Sequence, residues 1–237
     1  MKVNEELCIG CKLCVPYCPV HAITVQDSVA KVDLGICTEC NACYRSGACK
    51  FGALKPDNDI KWPRAVRPQL SDVFTEYQGI AGRGTEEMKT NDVTGRFRRG
   101  YSGIAIELGR PGVATNFRDV ELLAQIVAKN GAVFEPKNPV TSYLADVTTG
   151  KMPEEVLDER VISAIIEVLV KNEDLEKVIN AILDASDQLD TVFSLDVACA
   201  VEPDNTIPAQ KVLDKMGISY RPNCKTNVGL GKPKYQL

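Results

Sequence analysis

Eight cysteines between positions 8 and 49 constrain the fold of this 237-residue chain more than any other feature. The first four are spaced C-x2-C-x2-C-x3-C, and the second four C-x2-C-x2-C-x5-C. The two runs are Cys8, Cys11, Cys14 and Cys18, followed by Cys37, Cys40, Cys43 and Cys49. Because the first three members of each run align at an offset of 29 residues, the segment is an internal repeat.

Three kinds of chemistry compete for such cysteines. A zinc site needs four ligands, usually as two separated C-x2-C pairs, so a third cysteine at the same spacing is surplus. A disulfide framework needs an oxidising compartment, and the N-terminal residues do not show a signal-peptide pattern. Three thiolates two residues apart on a tight loop suit three corners of an iron–sulfur cube, and this interpretation is favoured.

The segment resembles the bacterial-type ferredoxins with two [4Fe-4S] clusters, over residues 1–58. In that family the fourth ligand of each cluster is the last cysteine of the other run. The resemblance implies that cluster 1 is held by Cys8, Cys11, Cys14 and Cys49, and cluster 2 by Cys18, Cys37, Cys40 and Cys43. The second run departs from the family pattern, since five residues precede Cys49 and Lys50 replaces a proline. Cys49 is kept as the counterpart of Cys18 because Ala53-Leu54 follows it much as Ala22-Ile23 follows Cys18.

Composition predicts a soluble protein of the reducing cytoplasm. A hydrophobic fraction of 44% argues against disorder. No apolar run reaches the length of about 18 residues that a membrane helix needs, and the best one, 161–170, is interrupted by Glu167. The ferredoxin part is too short for a large apolar core, so its clusters are expected to stabilise it.

Charge is distributed unevenly along the chain, whose net charge is −4. Residues 61–118 carry 10 basic and 6 acidic side chains, whereas residues 119–237 carry 12 and 19. Guanidinium groups of the positive segment could bind a phosphate or carboxylate, dock an acidic partner, or line the ferredoxin unit. The candidate residues are Arg83, Arg96, Arg98 and Arg99, with Arg110 nearby. Nucleic acid is not expected as a partner, because the protein is acidic and lacks interleaved aromatic and basic residues.

Three regions are predicted: a ferredoxin domain (1–58), a connector rich in glycine and arginine (59–102), and an α+β domain (103–237). The ferredoxin domain should contain a hairpin made by residues 23–25 and 30–32. In the connector we expect at most one short helix, near Leu70–Tyr77. The glycine-rich stretch Gly79–Gly84 does not follow a strand, so the dinucleotide-binding fingerprint is not met.

The α+β domain should form a βαββαβ-type sandwich, with helices on one face of a mainly antiparallel sheet. Predicted strands or extended segments are 104–108, 132–135, 142–146, 161–170, 191–201 and an edge strand at 218–220. Predicted helices are 117–129 with Asn116 as N-cap, 173–185 with Asn172 as N-cap, and 208–216 ending at Gly217.

Few other residues suggest chemistry. His21 is the single histidine, so a Ser-His-Asp arrangement is excluded and a solvated or backbone-bonded side chain is expected. Cys199 lies in an apolar stretch, which favours a buried structural thiol. Cys224 lies among cations in a predicted loop and is expected to be an ordinary loop cysteine. The catalytic residues are unknown.

The sequence therefore predicts an electron-transfer protein, with two [4Fe-4S] clusters passing single electrons to a larger catalytic subunit. As an alternative, the α+β domain would bind a small anion beside the clusters, and the chain would be a reductase by itself. A third possibility is a redox-sensing regulatory protein.

Overall fold

The computed structural model of the protein describes residues 1–75, 94–110 and 113–221. The strands are β1 (Lys2–Val3), β2 (Ile23–Gln26), β3 (Val29–Val32), β4 (Leu54–Lys55), β5 (Tyr101–Leu108), β6 (Thr115–Asn116), β7 (Val133–Phe134), β8 (Arg160–Val161), β9 (Ala164–Lys171) and β10 (Phe193–Cys199). The α-helices are α1 (Ala42–Arg45), α2 (Val66–Ser71), α3 (Phe117–Lys129), α4 (Leu175–Asp184) and α5 (Pro208–Met216). Short 3₁₀ helices occupy Val15–Tyr17, Thr141–Tyr143, Glu154–Val156, Asn172–Asp174 and Ser186–Gln188.

The N-terminal unit consists of two small antiparallel pairs. The predicted hairpin is confirmed, since β2 pairs with β3 from Ile23 opposite Val32 to Gln26 opposite Val29. Its two turn residues, Asp27 and Ser28, have φ of 48° and 61°, as a tight hairpin turn requires. β1 pairs with β4 and brings the two ends of the unit together. The buried residues of this unit are mostly small side chains and cysteines, so its core is built around the thiols.

The C-terminal part has mixed helix and strand content, as an α+β chain should. Its sheet has the order β10-β5-β9-β7, and all neighbours are antiparallel. Because side chains alternate between faces, Ile104, Ile106 and Leu108 pack in one core with the buried sides of α3 and α4. Ala105 and Ile165 belong to a smaller cluster on the opposite face.

The predicted bounds of the longest helix, α3, are confirmed. Asn116 is the N-cap of α3, and its side-chain oxygen accepts a hydrogen bond from the nitrogen of Asp119 at 2.9 Å. α3 ends at Lys129, as predicted. α5 also begins and ends as predicted, at Pro208 and Met216, with Gly217 in the left-handed conformation at φ 67°.

Two predicted strands have different bounds or structure. The strand expected over 161–170 is divided, since β8 pairs with β6 while β9 begins only at Ala164. Between them, the nitrogen of Ile162 donates to the Ser71 hydroxyl at 2.9 Å. The extended segment expected at 142–146 contains a 3₁₀ turn instead, because the Asn138 side chain accepts from the nitrogens of Val140 and Thr141.

The edge strand predicted at 218–220 and the Asn172 cap were wrong. Ile218 donates its N–H to the carbonyl of Leu213 at 3.0 Å, so the chain turns back over the end of α5. Asp174 is the N-cap residue of α4. The Asn172 side chain instead accepts from the Ser102 hydroxyl at 2.7 Å.

The connector helix lies earlier than predicted. It is α2, which ends at Ser71 because Asp72 is extended, and the predicted end at Tyr77 lies outside the described residues. Val66 and Leu70, one helical turn apart, are buried in the C-terminal core. Trp62 stacks on Tyr143 with ring centroids 6.4 Å apart. The first part of the connector is therefore packed against the C-terminal core.

Candidate metal centre

Two cavities in the N-terminal unit gather the eight cysteines into two sets of four. One cavity is lined by Cys8, Cys11 and Cys14 of the first run together with Cys49 of the second. The other is lined by Cys37, Cys40 and Cys43 of the second run together with Cys18 of the first. We name them cavity 1 and cavity 2. Each cavity thus takes three thiols from one run and one from the other.

The same backbone conformation shapes both cysteine loops. Gly10 and Glu39, the second residues after the leading cysteines, have φ of 66° and 56°. Lys12 and Asn41, two positions further on, have φ of 64° and 57°. Left-handed residues are uncommon outside glycine, so the repeat of this pair 29 residues apart indicates one loop design used twice.

The last cysteine of each run also has a matching environment. The nitrogen of Ala22 donates to Cys18 Sγ at 3.1 Å, and that of Ala53 donates to Cys49 Sγ at 3.3 Å. The two additional residues of the second run lie before Cys49, where the nitrogen of Ser46 continues the α1 hydrogen bonding to Ala42. The two additional residues therefore extend the turn after α1, and Cys49 still lines cavity 1.

The thiols are suited to bind iron. None of the described cysteines is in a disulfide, and Cys8 Sγ also accepts from a main-chain nitrogen, that of Ala30, at 3.2 Å. Burial raises the pKa of Cys14 and Cys37, and raises that of Cys43 to about 12. These thiols therefore hold their protons until metal displaces them.

Cys49 differs from these three cysteines. Burial acts to raise its pKa, but main-chain N–H groups of residues 51–54 outweigh burial and lower the pKa.

Each cavity presents four cysteine side chains, the number of ligands that a [4Fe-4S] cluster needs. Among the described residues, no group of three Cys, His, Asp or Glu side chains is placed to hold one metal ion. A cube presents four irons at separate corners, so its ligands need not converge on one point. When bound, a [4Fe-4S] cluster takes up and gives back one electron. The cavities therefore fit the group that the cysteine spacing implies.

Charged groups support the loop of cavity 2. Glu39 is buried between two of its cysteines and accepts from the Arg64 guanidinium and from the nitrogen of Met1. Arg64 also donates to the carbonyl of Leu34 at 2.8 Å. A buried carboxylate is stable only when it is paired in this way.

Arg67 of α2 joins this loop to the C-terminal part. Its Nη1 donates to the carbonyls of Leu34, Gly35 and Cys37, at 2.8, 3.3 and 2.6 Å. Its Nε donates to the carboxylate of Glu159. Sequence reasoning missed Arg67, because the stretch around it has no period and no motif.

A second contact joins cavity 2 to the connector. The buried carboxylate of Asp72 accepts from the guanidinium of Arg45 in α1 and from the Asn41 side chain. Burial acts to raise the pKa of Asp72, but these hydrogen bonds and that of the Phe74 nitrogen outweigh it and lower the pKa. The cavity 2 loop is therefore held against α2 and the residue that follows it.

Among the arginines expected to bind an anion or a partner, those that the structure describes contact other groups of the chain. Arg96 donates to the carbonyls of Val133 and Phe134 at 3.2 Å and pairs with Glu135. The other contacts are those of Arg98 over the Tyr101 ring, Arg99 with Glu202, and Arg110 with Glu107 and Ser163. Arg83 lies outside the described residues.

The remaining candidates are peripheral. His21 is exposed, in a left-handed conformation at φ 53°. Cys199, at the end of β10, is half-buried, and burial raises its pKa. Cys224 lies outside the described residues. Within the described ranges, no helix is long and apolar enough to cross a membrane.

Free thiols gathered in fours within a small hairpin unit are typical of the class of proteins that bind iron–sulfur clusters through cysteine. Residues 1–24 match the family model of the 4Fe-4S binding domain. The chain belongs, through its N-terminal part, to the 4Fe-4S ferredoxins, and that part is an iron–sulfur electron carrier.

Known ferredoxins and related proteins match a segment of the chain. Ferredoxin YfhL of Escherichia coli is 35% identical over 69 residues, which cover 28% of this chain and 80% of the relative. Ferredoxin-3 of Chlorobaculum tepidum is 41% identical over 49 residues, 21% of this chain and 77% of the relative. One subunit of an ion-translocating oxidoreductase complex from Methanosarcina acetivorans is 50% identical over 41 residues, 17% of this chain and 16% of the relative. No solved structure matches the chain.

Proposed function

We propose that the protein carries two [4Fe-4S] clusters, one in each cavity. Cluster 1 is held by Cys8, Cys11, Cys14 and Cys49, and cluster 2 by Cys18, Cys37, Cys40 and Cys43. The single observation that supports this most is the crossed lining of the cavities, with three thiols from one run and the last thiol from the other. The matching N–H to sulfur bonds at Cys18 and Cys49 add to it.

Pairs of cysteine substitutions test the crossed ligation. The protein is purified anaerobically at full length, and about eight irons per chain are expected from two cubes. If Cys11 and Cys49 hold the same cluster, the double variant Cys11→Ala/Cys49→Ala keeps about four irons. The matched variant Cys11→Ala/Cys18→Ala should lose both clusters. The reverse pattern would show that each run supplies all four ligands of its own cluster.

We further propose that the chain is the electron-transfer subunit of a larger cytoplasmic oxidoreductase. Its clusters accept single electrons from a reduced donor and pass them to a catalytic partner. One observation supports this: a related segment occurs in a subunit of an oxidoreductase complex. The C-terminal region would provide the surface that docks on the partner. We propose that this region, 103–237, is a domain with the fold of a βαββαβ-type sandwich, and the strand order β10-β5-β9-β7 of the described residues supports this proposal. The regions 1–58 and 59–102 are proposed as ferredoxin domain and connector.

Anaerobic purification at native abundance tests the subunit role. A larger protein with its own flavin, metal or substrate pocket should co-elute in a fixed ratio and be identified by mass. In the reconstituted pair, the dithionite-reduced chain should pass electrons to that partner. If the chain elutes alone from cells grown under every tested condition, the subunit role is contradicted, and only the function of an electron carrier remains.

The alternative of a self-contained reductase with an anion site is less favoured by the contacts. Its motivation was the positive segment, yet Arg98 contacts Tyr101 and Arg99 pairs with Glu202 at 3.7 Å. A small anion whose saturable binding is lost in both Arg98→Ala and Arg99→Ala would restore this hypothesis.

A further inference from the structure

A buried hydroxyl lies in the wall of cavity 2. Thr38 follows the ligand Cys37, is only 1% exposed, and lines the cavity together with its four cysteines. In the described part of the chain, nothing hydrogen-bonds to its Oγ1 atom. Folded proteins rarely leave a buried polar atom without a partner, and such an atom calls for an explanation such as an ion or cofactor at the site.

The repeat provides an internal comparison. At an offset of 29 residues, Thr38 corresponds to Ile9, which follows Cys8 in the loop of cavity 1. Ile9 is 57% exposed and has no proton to donate. The two loops share their backbone conformation, so the buried hydroxyl is a property of cavity 2 alone.

We propose that the Thr38 hydroxyl donates a hydrogen bond to a sulfur of cluster 2 and thereby raises the reduction potential of that cluster. This inference rests on the proposed function, since it needs a cluster in cavity 2. Reduction adds one electron and one negative charge, while Thr38 keeps its proton. With four thiolate ligands the cluster is negatively charged in both states, and the reduced state carries one more negative charge. Because a hydrogen bond strengthens as the negative charge on its acceptor increases, the donor stabilises the reduced state more than the oxidised state.

Burial acts in the opposite direction. Cys37 and Cys43 in cavity 2 are buried, whereas Cys11 in cavity 1 is exposed. A low-dielectric environment disfavours the more highly charged, reduced state. The hydroxyl offsets part of this effect, and the size of its contribution can be isolated by a substitution that keeps shape and burial.

Potentiometric titration monitored by electron paramagnetic resonance tests the proposal on the full-length, two-cluster protein. Thr38→Val removes the hydroxyl at nearly constant volume and should lower the potential of cluster 2 only. The shift equals the difference in strength of this hydrogen bond between the two states. A difference as large as the net worth of one ordinary hydrogen bond changes the ratio of reduced to oxidised cluster at fixed poise by about tenfold, or about 59 mV for one electron, which is the upper limit expected. Thr38→Ser, which keeps the donor, should titrate like the wild type. Ile9→Val is the matched control and should leave both potentials unchanged.

The outcomes separate this inference from the proposed function. Wild-type protein with about four irons and one titrating signal would overturn the two-cluster proposal itself. Two clusters with an unshifted Thr38→Val variant would overturn only the role of Thr38, as would a Thr38→Ser variant that shifts as far as Thr38→Val. If the valine variant fails to load cluster 2, Thr38→Ala removes the same hydroxyl without adding volume and is titrated instead.

Discussion

Replacing Arg67 with methionine should destabilise the whole described protein and not only its N-terminal unit. Arg67 is 5% exposed and makes its four hydrogen bonds across two regions, three to carbonyls of the cavity 2 loop and one to Glu159. Methionine fills similar space but removes this donor from the carbonyls of Gly35 and Cys37 and from the mostly buried carboxylate of Glu159, while the Leu34 carbonyl keeps Arg64 as a donor. Removal of one partner from a buried ion pair costs about 3–5 kcal/mol. In a protein of this size that loss lowers the melting temperature by roughly 6–20 °C.

The assay is anaerobic urea or thermal unfolding, followed both by circular dichroism and by the visible absorbance of the clusters. For Arg67→Met the two signals should shift together, because the arginine touches both regions. Arg118→Met is the matched control: Arg118 pairs with Asp158 on the surface, where both side chains are well exposed, and its loss should be barely measurable. An Arg67→Met protein that unfolds like the Arg118→Met control would refute the reasoning.

Three further predictions follow from single residues. Burial raises the pKa of Asp119, so the charged carboxylate destabilises the folded state at neutral pH. The Asp119→Asn variant should therefore resist urea better than the wild type at pH 7. This gain should vanish below the unfolded-state pKa of Asp119, where the carboxyl is protonated in both the folded and the unfolded protein. The pKa of Asp72 is lowered on balance, so the stability that its carboxylate contributes to the fold is lost as pH falls through the folded-state pKa. Arg45→Met removes the guanidinium that pairs with Asp72 and should move the acid-unfolding midpoint to higher pH. An unmoved midpoint would contradict a stabilising role of this ion pair. A Cβ on Gly10 would lie 2.5 Å from the carbonyl oxygen of Ser28, so Gly10→Ala should fail to bind the cluster proposed for cavity 1 and should contain about four irons fewer than the wild type. Full iron content would count against this.

Sequence predicted those features that depend on neighbouring residues. Asn116 caps α3 because a side-chain acceptor and the N–H that it binds are three residues apart, a relation visible in the chain. The cysteine spacings are similarly local and led directly to the thiols that line the two cavities.

Features that depend on distant residues could not be predicted. Arg67 acquires its role from carbonyls about 30 residues away and from Glu159, 92 residues away. The break between β8 and β9 depends on the Ser71 hydroxyl, which comes from another region. The segment 218–220 had the apolar and aromatic character of a strand, but hydrogen bonds to the end of α5 compete for it.

The contacts of the cavity 2 loop determine how much of the chain must move together when the ferredoxin part is exchanged between proteins. Where the first half of the repeat has Gly10, the second has Glu39, a buried carboxylate that is paired with Arg64. A gene segment ending at residue 58 would encode all eight cysteines of the repeat. It would, however, leave the Glu39 carboxylate without its Arg64 partner and the Cys37 carbonyl without the hydrogen bond from Arg67. The second half of the repeat has thus become dependent on the extension that follows it. Exchange of ferredoxin cassettes with shorter relatives should succeed only when residues up to Asp72 move with them.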